Sequence, residues 1–398
     1  MLQPLNFSYK DFGSIMRKAF SLKKMLSMAF FLFLAFVSLN LFSWLVVYLT
    51  RDLHQIDWVD ILWKDRGLVP FLFDQVLPWY GSVIYYIGII LSYIFVMLGL
   101  QAVVKITFQE LKGDFFFSTF DAIKYSFKNI AKVVAPQLLI LFLIFLIVIG
   151  GLIESLIFKI SYFGELFNSF MMIVIIPFSI ILFFVIIVFG VSLLFVHSIA
   201  GTVEDDFFEV VYQIFSTVTS QPLRLIIYSF YTIVQAVIGL FIWSFVLYKS
   251  FKIFEFIFSL LAKDKIFPII NNAYYYITNL FPQWKMIYYN DILGTFSFIC
   301  TPSHQKFIPV NWSMTVASVV MAIVIFKLLL ISISYFFSIL AVGDTITYLI
   351  IRYKKDDEDL VKLSDEDDMV DLEAELKEYE VTDGGDDSNS ETNEEDKN

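Results

Sequence analysis

The sequence predicts an all-α, polytopic membrane protein, and three observations predict it. Long apolar runs recur six times, the runs themselves are almost free of charge, and the acidic residues gather at one end of the chain. Of the 398 residues 58% are hydrophobic and 17% charged, whereas a soluble domain is roughly 45–50% apolar. A helix needs about 20 apolar residues to cross some 30 Å of hydrocarbon. Six segments meet that requirement: 27–49, 81–104, 133–157, 170–199, 225–248 and 313–340. The first, second, fourth and fifth contain no Asp, Glu, Lys or Arg.

The first run follows a basic arm of Lys10, Arg17, Lys18, Lys23 and Lys24. It is longer than the apolar core of a secretory signal, and no small-x-small cleavage site follows it, so it reads as an uncleaved first span. The fourth run is long enough that it must tilt, kink or project, with Pro177 the candidate kink. Lysines cluster again at 105, 112, 124, 128 and 132, whereas the short loop 158–168 carries only Lys159. That asymmetry predicts a multi-pass protein of the cell membrane with both termini in the cytoplasm.

Between spans lie short amphipathic stretches, at about 8–25, 116–132 and 203–221. Three segments starting at Phe12, Phe120 and Phe208 align in register. Apolar residues match at Phe12/Phe120/Phe208, Ile15/Ile123/Val211, Ala19/Phe127/Phe215 and Leu22/Ile130/Val218, a 3-4-3 spacing that marks one helix face. The reading is an elbow. Phe120, Ile123, Phe127 and Ile130 lie on acyl chains, and Lys124, Lys128 and Lys132 reach anionic headgroups. Gly113 and Gly201 each precede such an elbow and would let the chain bend there. Gly343-Asp344 echoes Gly113-Asp114. The body, 1–355, then reads as a three-fold repeat of interfacial helix, span out and span back.

Residues 249–312 fall on the extracytoplasmic side. Ten aromatics between Phe267 and Phe298 suit a headgroup surface. The segment is either a surface cap or a re-entrant element, and 51–80, with Trp58, Trp63 and Trp79, could pack beside it. Residues 356–398 form an acidic cytoplasmic tail with 20 Asp/Glu against 3 Lys, a net of −17, while 1–355 carry +6. Residues 357–380 hold Leu360, Leu363, Met369, Leu372 and Leu376 at roughly helical spacing, and from about 381 the tail is expected to be disordered. It is a solvated tail, a docking site for a protein partner, or a segment that folds back on the basic elbows.

No hydrolase, metalloprotease or nucleotide-binding signature occurs, and one cysteine with three scattered histidines supplies no metal spacing. Neither catalytic residues nor cofactors nor nucleic-acid binding is expected. Polar residues inside spans are the remaining candidates: Lys327, Gln235, Asn40 and Glu154, with His197 at the inner end of the fourth run. Lys327 aligns with the inner part of its span, where it either snorkels or serves transport. Gln235 and Asn40 are more readily helix–helix glue.

The stretches "FDAIKYSFKNIAKVVAPQLLILFL" and "FEVVYQIFSTVTSQPLRLIIYSFY", with the ending "GDTITYLIIRYKKDDEDL", resemble uncharacterised bacterial six-helix membrane proteins. Those are similar to the membrane domain attached to some glycerophosphodiester phosphodiesterases. The resemblance covers about 10–350 and implies a six-helix membrane domain. It implies no phosphodiester chemistry, because the catalytic domain is missing. The expected function is a non-enzymatic membrane scaffold or accessory subunit, with a transporter or channel built around a polar site near Lys327 as the alternative. An intramembrane enzyme ranks third.

Overall fold

The computed structural model describes residues 7–54, 77–203, 206–280, 307–357 and 359–362. Nearly all of these are helical and none forms a strand. A 3-10 turn, Tyr9–Ser14, leads into α1 (Ile15–Ala19) and α2 (Leu22–His54). Then come α3 (Trp79–Lys112), α4 (Thr119–Lys128), α5 (Ile130–Phe158), α6 (Phe163–Thr202) and α7 (Phe207–Ser220). Two long helices close the chain, α8 (Pro222–Leu280) and α9 (Trp312–Asp356). Six helical segments are long and apolar enough to cross a membrane: α2, α3, α4 with α5, α6, α8 and α9.

These helices run longer than their apolar runs. At about 1.5 Å per residue, the 40-residue α6 is roughly 60 Å long, twice the hydrocarbon thickness. The bundle therefore holds its helices together beyond the length a bilayer requires. Pro177 sits within α6 without ending it.

The short helices occupy the three positions that the amphipathic pattern marks, and each runs almost directly into a long helix. Their starts are fixed locally. Ser8 and Asp11 form a capping box on the first turn, and the Ser118 hydroxyl accepts the Asp121 amide at 3.2 Å. Gly113 ends α3 with φ 99°, a left-handed conformation that glycine adopts without strain. Asp114 then accepts the amides of Phe116 and Phe117 and closes the turn.

Gly201 and Gly343 do not bend the chain. Both lie inside continuous helices, and α9 passes unbroken through Gly343-Asp344. They act instead by letting helices approach. A Cβ on Gly201 would fall 2.6 Å from Val104 Cγ1, and one on Gly343 would collide with Thr232. Gly99 seats Met28 and Phe31 in the same way. Small residues at helix contacts are the usual means of close packing in lipid.

The main core lies where α3, α6 and α9 meet. Met97–Phe108, Phe195–Thr202 and Ser338–Ile351 are buried almost throughout. Phe7 stacks on Tyr353 with ring centroids 4.1 Å apart. The first and last described parts of the chain therefore share one end of the bundle, here the terminal end. By contrast α5 and α6 present exposed apolar residues along most of their length away from that core, from Leu138 to Ile187.

The segment 249–280 is a helical hairpin. Ala262 leaves helical geometry (φ −130°, ψ 34°), and the chain beyond it returns so that Tyr274 meets Phe251 at 6.2 Å. Ile266, Ile270 and Ile277 bury against Ala322 and Ile325 of α9 in a second, smaller core. Asn272 fixes the returning leg, because its amide donates to the Ile308 carbonyl at 2.8 Å and accepts the Ile308 amide at 2.9 Å. Asn272→Ala strips both partners from that backbone and should cost about 2 kcal/mol, read as a lower thermal midpoint in detergent. Residues 281–306, Trp58, Trp63 and the tail from 363 onward lie outside the described residues. Trp79 is exposed at the start of α3.

Candidate functional site, a polar junction of α3, α6 and α9

Three helices bring polar side chains one turn apart into the main core. They are Gln101 and Lys105 on α3 and Asp344 and Tyr348 on α9, with His197 on α6 one turn before the close-packed Gly201. Spacing of i and i+4 puts each pair on a single helix face. His197 is 1% exposed and Asp344 9%. His197 Nε2 lies 3.4 Å from Asp344 Oδ2, in an electrostatic contact that lacks the alignment of a hydrogen bond. The pair brings two ionisable side chains together across the α6–α9 contact.

The end of α6 is finished by its neighbours. The last carbonyls of a helix have no intrahelical donor and carry its negative dipole end. Gln101 Nε2 and Tyr125 Oη each donate to the Ala200 carbonyl at 3.2 Å, and Lys132 Nζ donates to Val203 at 3.3 Å. Lys105, buried alongside, sits 4.8 Å from the Tyr125 ring centroid. Several buried atoms at the junction have no protein partner: His197 Nδ1, Gln101 Oε1, Ser198 Oγ and Thr232 Oγ1. Among the described residues no three of His, Cys, Asp and Glu gather to hold a metal.

Of the polar residues singled out in the sequence, His197 lies in this junction, whereas Lys327, Gln235, Asn40 and Glu154 do not, and among the described residues no hydrogen bond or ion pair joins those four to one another. Gln235 is buried and donates to the Phe12 carbonyl at 2.9 Å, tying α8 to the first elbow. Asn40 donates to Phe36 of its own helix at 2.7 Å. Glu154 is half-buried near the end of α5. Lys327 is exposed. Its neighbours Ile325 and Leu328 line one small cleft with Tyr248 and Phe251, which puts Lys327 at the height of Lys249, far along α9 from Asp344. That cleft, about 30 Å³, has the volume of roughly one water.

The elbows share a register but not an environment. On α4 Phe120 is 73% exposed, Phe127 and the neighbouring Ile130 are exposed, and Ile123 is half-buried. The opposite face, Ala122 and Ser126, is buried against the bundle, and Lys124 and Lys128 are exposed. Lys132 is half-buried and turned to Val203. The first elbow departs from the expected lipid contact, because Phe12, Ile15 and Ala19 are all within the core. Two of its lysines, Lys18 and Lys24, turn inward too. Lys24 is fully buried, 2.7 Å from Glu110 Oε2 and 2.8 Å from the Lys18 carbonyl. On α7 Phe208 is exposed and Val218 buried.

Lys18 is buried as well, and burial pushes its ammonium below the usual lysine range, with Asp11 opposing the shift. The sign follows. Between the lowered folded value and about 10.4 in the unfolded chain, the unfolded chain holds a proton that the folded chain lacks, so stability rises with pH in that window. Lys18→Met should therefore be neutral or stabilising by about 1 kcal/mol at neutral pH. It should also reduce the alkaline rise in thermal midpoint, which a pH series of melting curves reads directly.

The Asp344 contact was hidden in the sequence because Gly343-Asp344 reads as a turn. The contrary signal is a lone carboxylate inside the apolar run "SILAVGDTITYLII". The fold and this junction define a polytopic helical membrane protein whose core gathers polar groups from three spans. No protein-family model, curated protein or solved structure matches the chain.

Proposed function

We propose that the chain is a non-enzymatic membrane scaffold or accessory subunit that binds other membrane proteins through the sides of its spans. One observation carries this reading: the long polar side chains Gln101, Tyr125, Gln137, Tyr93 and Gln235 tie one helix to another inside the bundle. Gln235 holds Phe12, Gln101 and Tyr125 hold Ala200, and Gln137 holds Tyr93, which holds Leu193. Such contacts fix a rigid body. The exposed flank of α5 and α6, with Phe145, Ile173 and Phe183, is the surface that rigid body offers within the bilayer. The exposed aromatics and lysines of α4 suit the anionic cytoplasmic leaflet. Photo-crosslinkers at Phe145 and Ile173 in the cell membrane test the reading. Saturable crosslinks to defined spans of one partner are expected, and lipid adducts alone would sink it.

The His197–Asp344 pair favours a second reading, a proton-coupled transporter, because buried ionisable pairs within spans often lie on proton paths. Proteoliposomes with an internal pH dye discriminate. Proton flux that His197→Leu abolishes would displace the scaffold reading.

A further inference from the structure

Where α9 ends, the chain turns back on the bundle. Asp357 caps the helix in a left-handed conformation, and Leu360 packs against the main core. The corner it turns over is aromatic and carries several cations. Phe7 stacks on Tyr353, and Lys355 Nζ lies 5.6 Å from the Tyr212 ring centroid. Tyr212 and Phe208 of α7 are exposed, as are Lys10 and Lys354. Arg352 and Lys355 meet Asp356, the first acid of the chain that follows.

We propose that residues 363–380 dock back on this corner and shield it from anionic lipid headgroups. Three properties make this segment the occupant. It is acidic, with nine Asp/Glu against one Lys, and the corner offers it the exposed cations Lys10 and Lys354, which stand among the exposed carboxylates Asp206 and Asp357. It carries Leu363, Met369, Leu372 and Leu376 at roughly helical spacing, which suits the Tyr212–Phe208 face as a helix on an apolar surface. It is also tethered one residue beyond Lys362. The effective concentration of a short tether reaches the millimolar range, so weak contacts suffice where a free partner would need strong ones.

Spin labels at Tyr212→Cys and Leu372→Cys, in the full chain with Cys300→Ser, read the contact by pulsed dipolar spectroscopy in nanodiscs. A single short distance is expected in both zwitterionic and anionic lipid. It should broaden in about 1 M salt, where the screening length falls to about 3 Å, and in Lys354→Glu/Lys355→Glu. A broad distribution indifferent to salt and charge reversal overturns the proposal. So does a short distance confined to zwitterionic lipid, because headgroups then occupy the corner. A labelled pair at Tyr212 and Tyr353 controls for the fold of the charge-reversed variant.

Discussion

Gly201→Leu is expected to prevent assembly of the α3–α6 contact and to leave little folded protein in detergent. A Cβ at this position already falls 2.6 Å from Val104 Cγ1, 2.8 Å from its Cβ and 3.2 Å from the Gln101 carbonyl. Two of those atoms are branched or backbone and cannot swing aside. Ordinary overpacking costs about 1–3 kcal/mol, and alanine here should cost at the upper end of that range. Leucine adds three more carbons against the same wall. The hydrogen bonds that finish α6 depend on the same approach, since Gln101 and Tyr125 reach Ala200 only while α3 and α4 lie close. Gly190→Leu, in the same helix, is the control. A Cβ there meets nothing within 4 Å, so its fluorescence melting curve should match the parent protein. Equal losses from both substitutions would mean that added bulk anywhere on α6, rather than the junction, governs the response, since leucine favours a helix more than glycine does.

The contrast between the two glycines shows what the sequence conveys. Hydropathy made the six spans legible because lipid imposes one condition on every exposed residue of a span. The short helices were legible for a similar reason, since apolar spacing is local, although in the first two copies it runs on across a break, with Leu22 in α2 and Ile130 in α5. What a face packs against is not local. Phe12, Ile15 and Ala19 share their register with Phe120, Ile123 and Phe127, yet the first set enters the core and Phe120 faces outward. A buried apolar face and a lipid-facing one have the same composition, because Leu and Phe suit a protein core and an acyl chain equally. Lysines mislead in the same way. Lys24 reads as a headgroup ligand and is instead buried on Glu110. Glycine was ambiguous too. Gly113 turns the chain, whereas Gly201 and Gly343 sit in unbroken helices to admit a neighbour. The candidate site was the least legible part, because His197 and Asp344 are 147 positions apart in the numbering and meet only through tertiary packing.

His197→Leu should be the more damaging half of a revealing pair. It leaves Asp344 in a core where the other close ionisable group has been removed, and a lone buried carboxylate is among the costliest groups a protein can hold. Breaking a buried pair this way costs about 3–5 kcal/mol. Asp344→Leu should cost less, because an imidazole can stay buried as a neutral group, whereas a lone carboxylate is costly there. The double substitution removes both charges and fills the space with carbon, so it should recover most of the loss. Thermal unfolding of the four proteins in one detergent gives the coupling directly. Additive losses would show that the 3.4 Å contact carries no energy and that the two residues matter only for packing. Strong coupling has a functional consequence. If the double variant is as stable as the parent and still crosslinks through α5 and α6, the pair is a structural lock and the scaffold reading stands. A stable double variant that retains its partners but loses proton flux shown by the parent would move the protein to the transporters. Stability and function separate in that variant, which neither single substitution allows, because each leaves a group in the core whose cost would mask any change in activity.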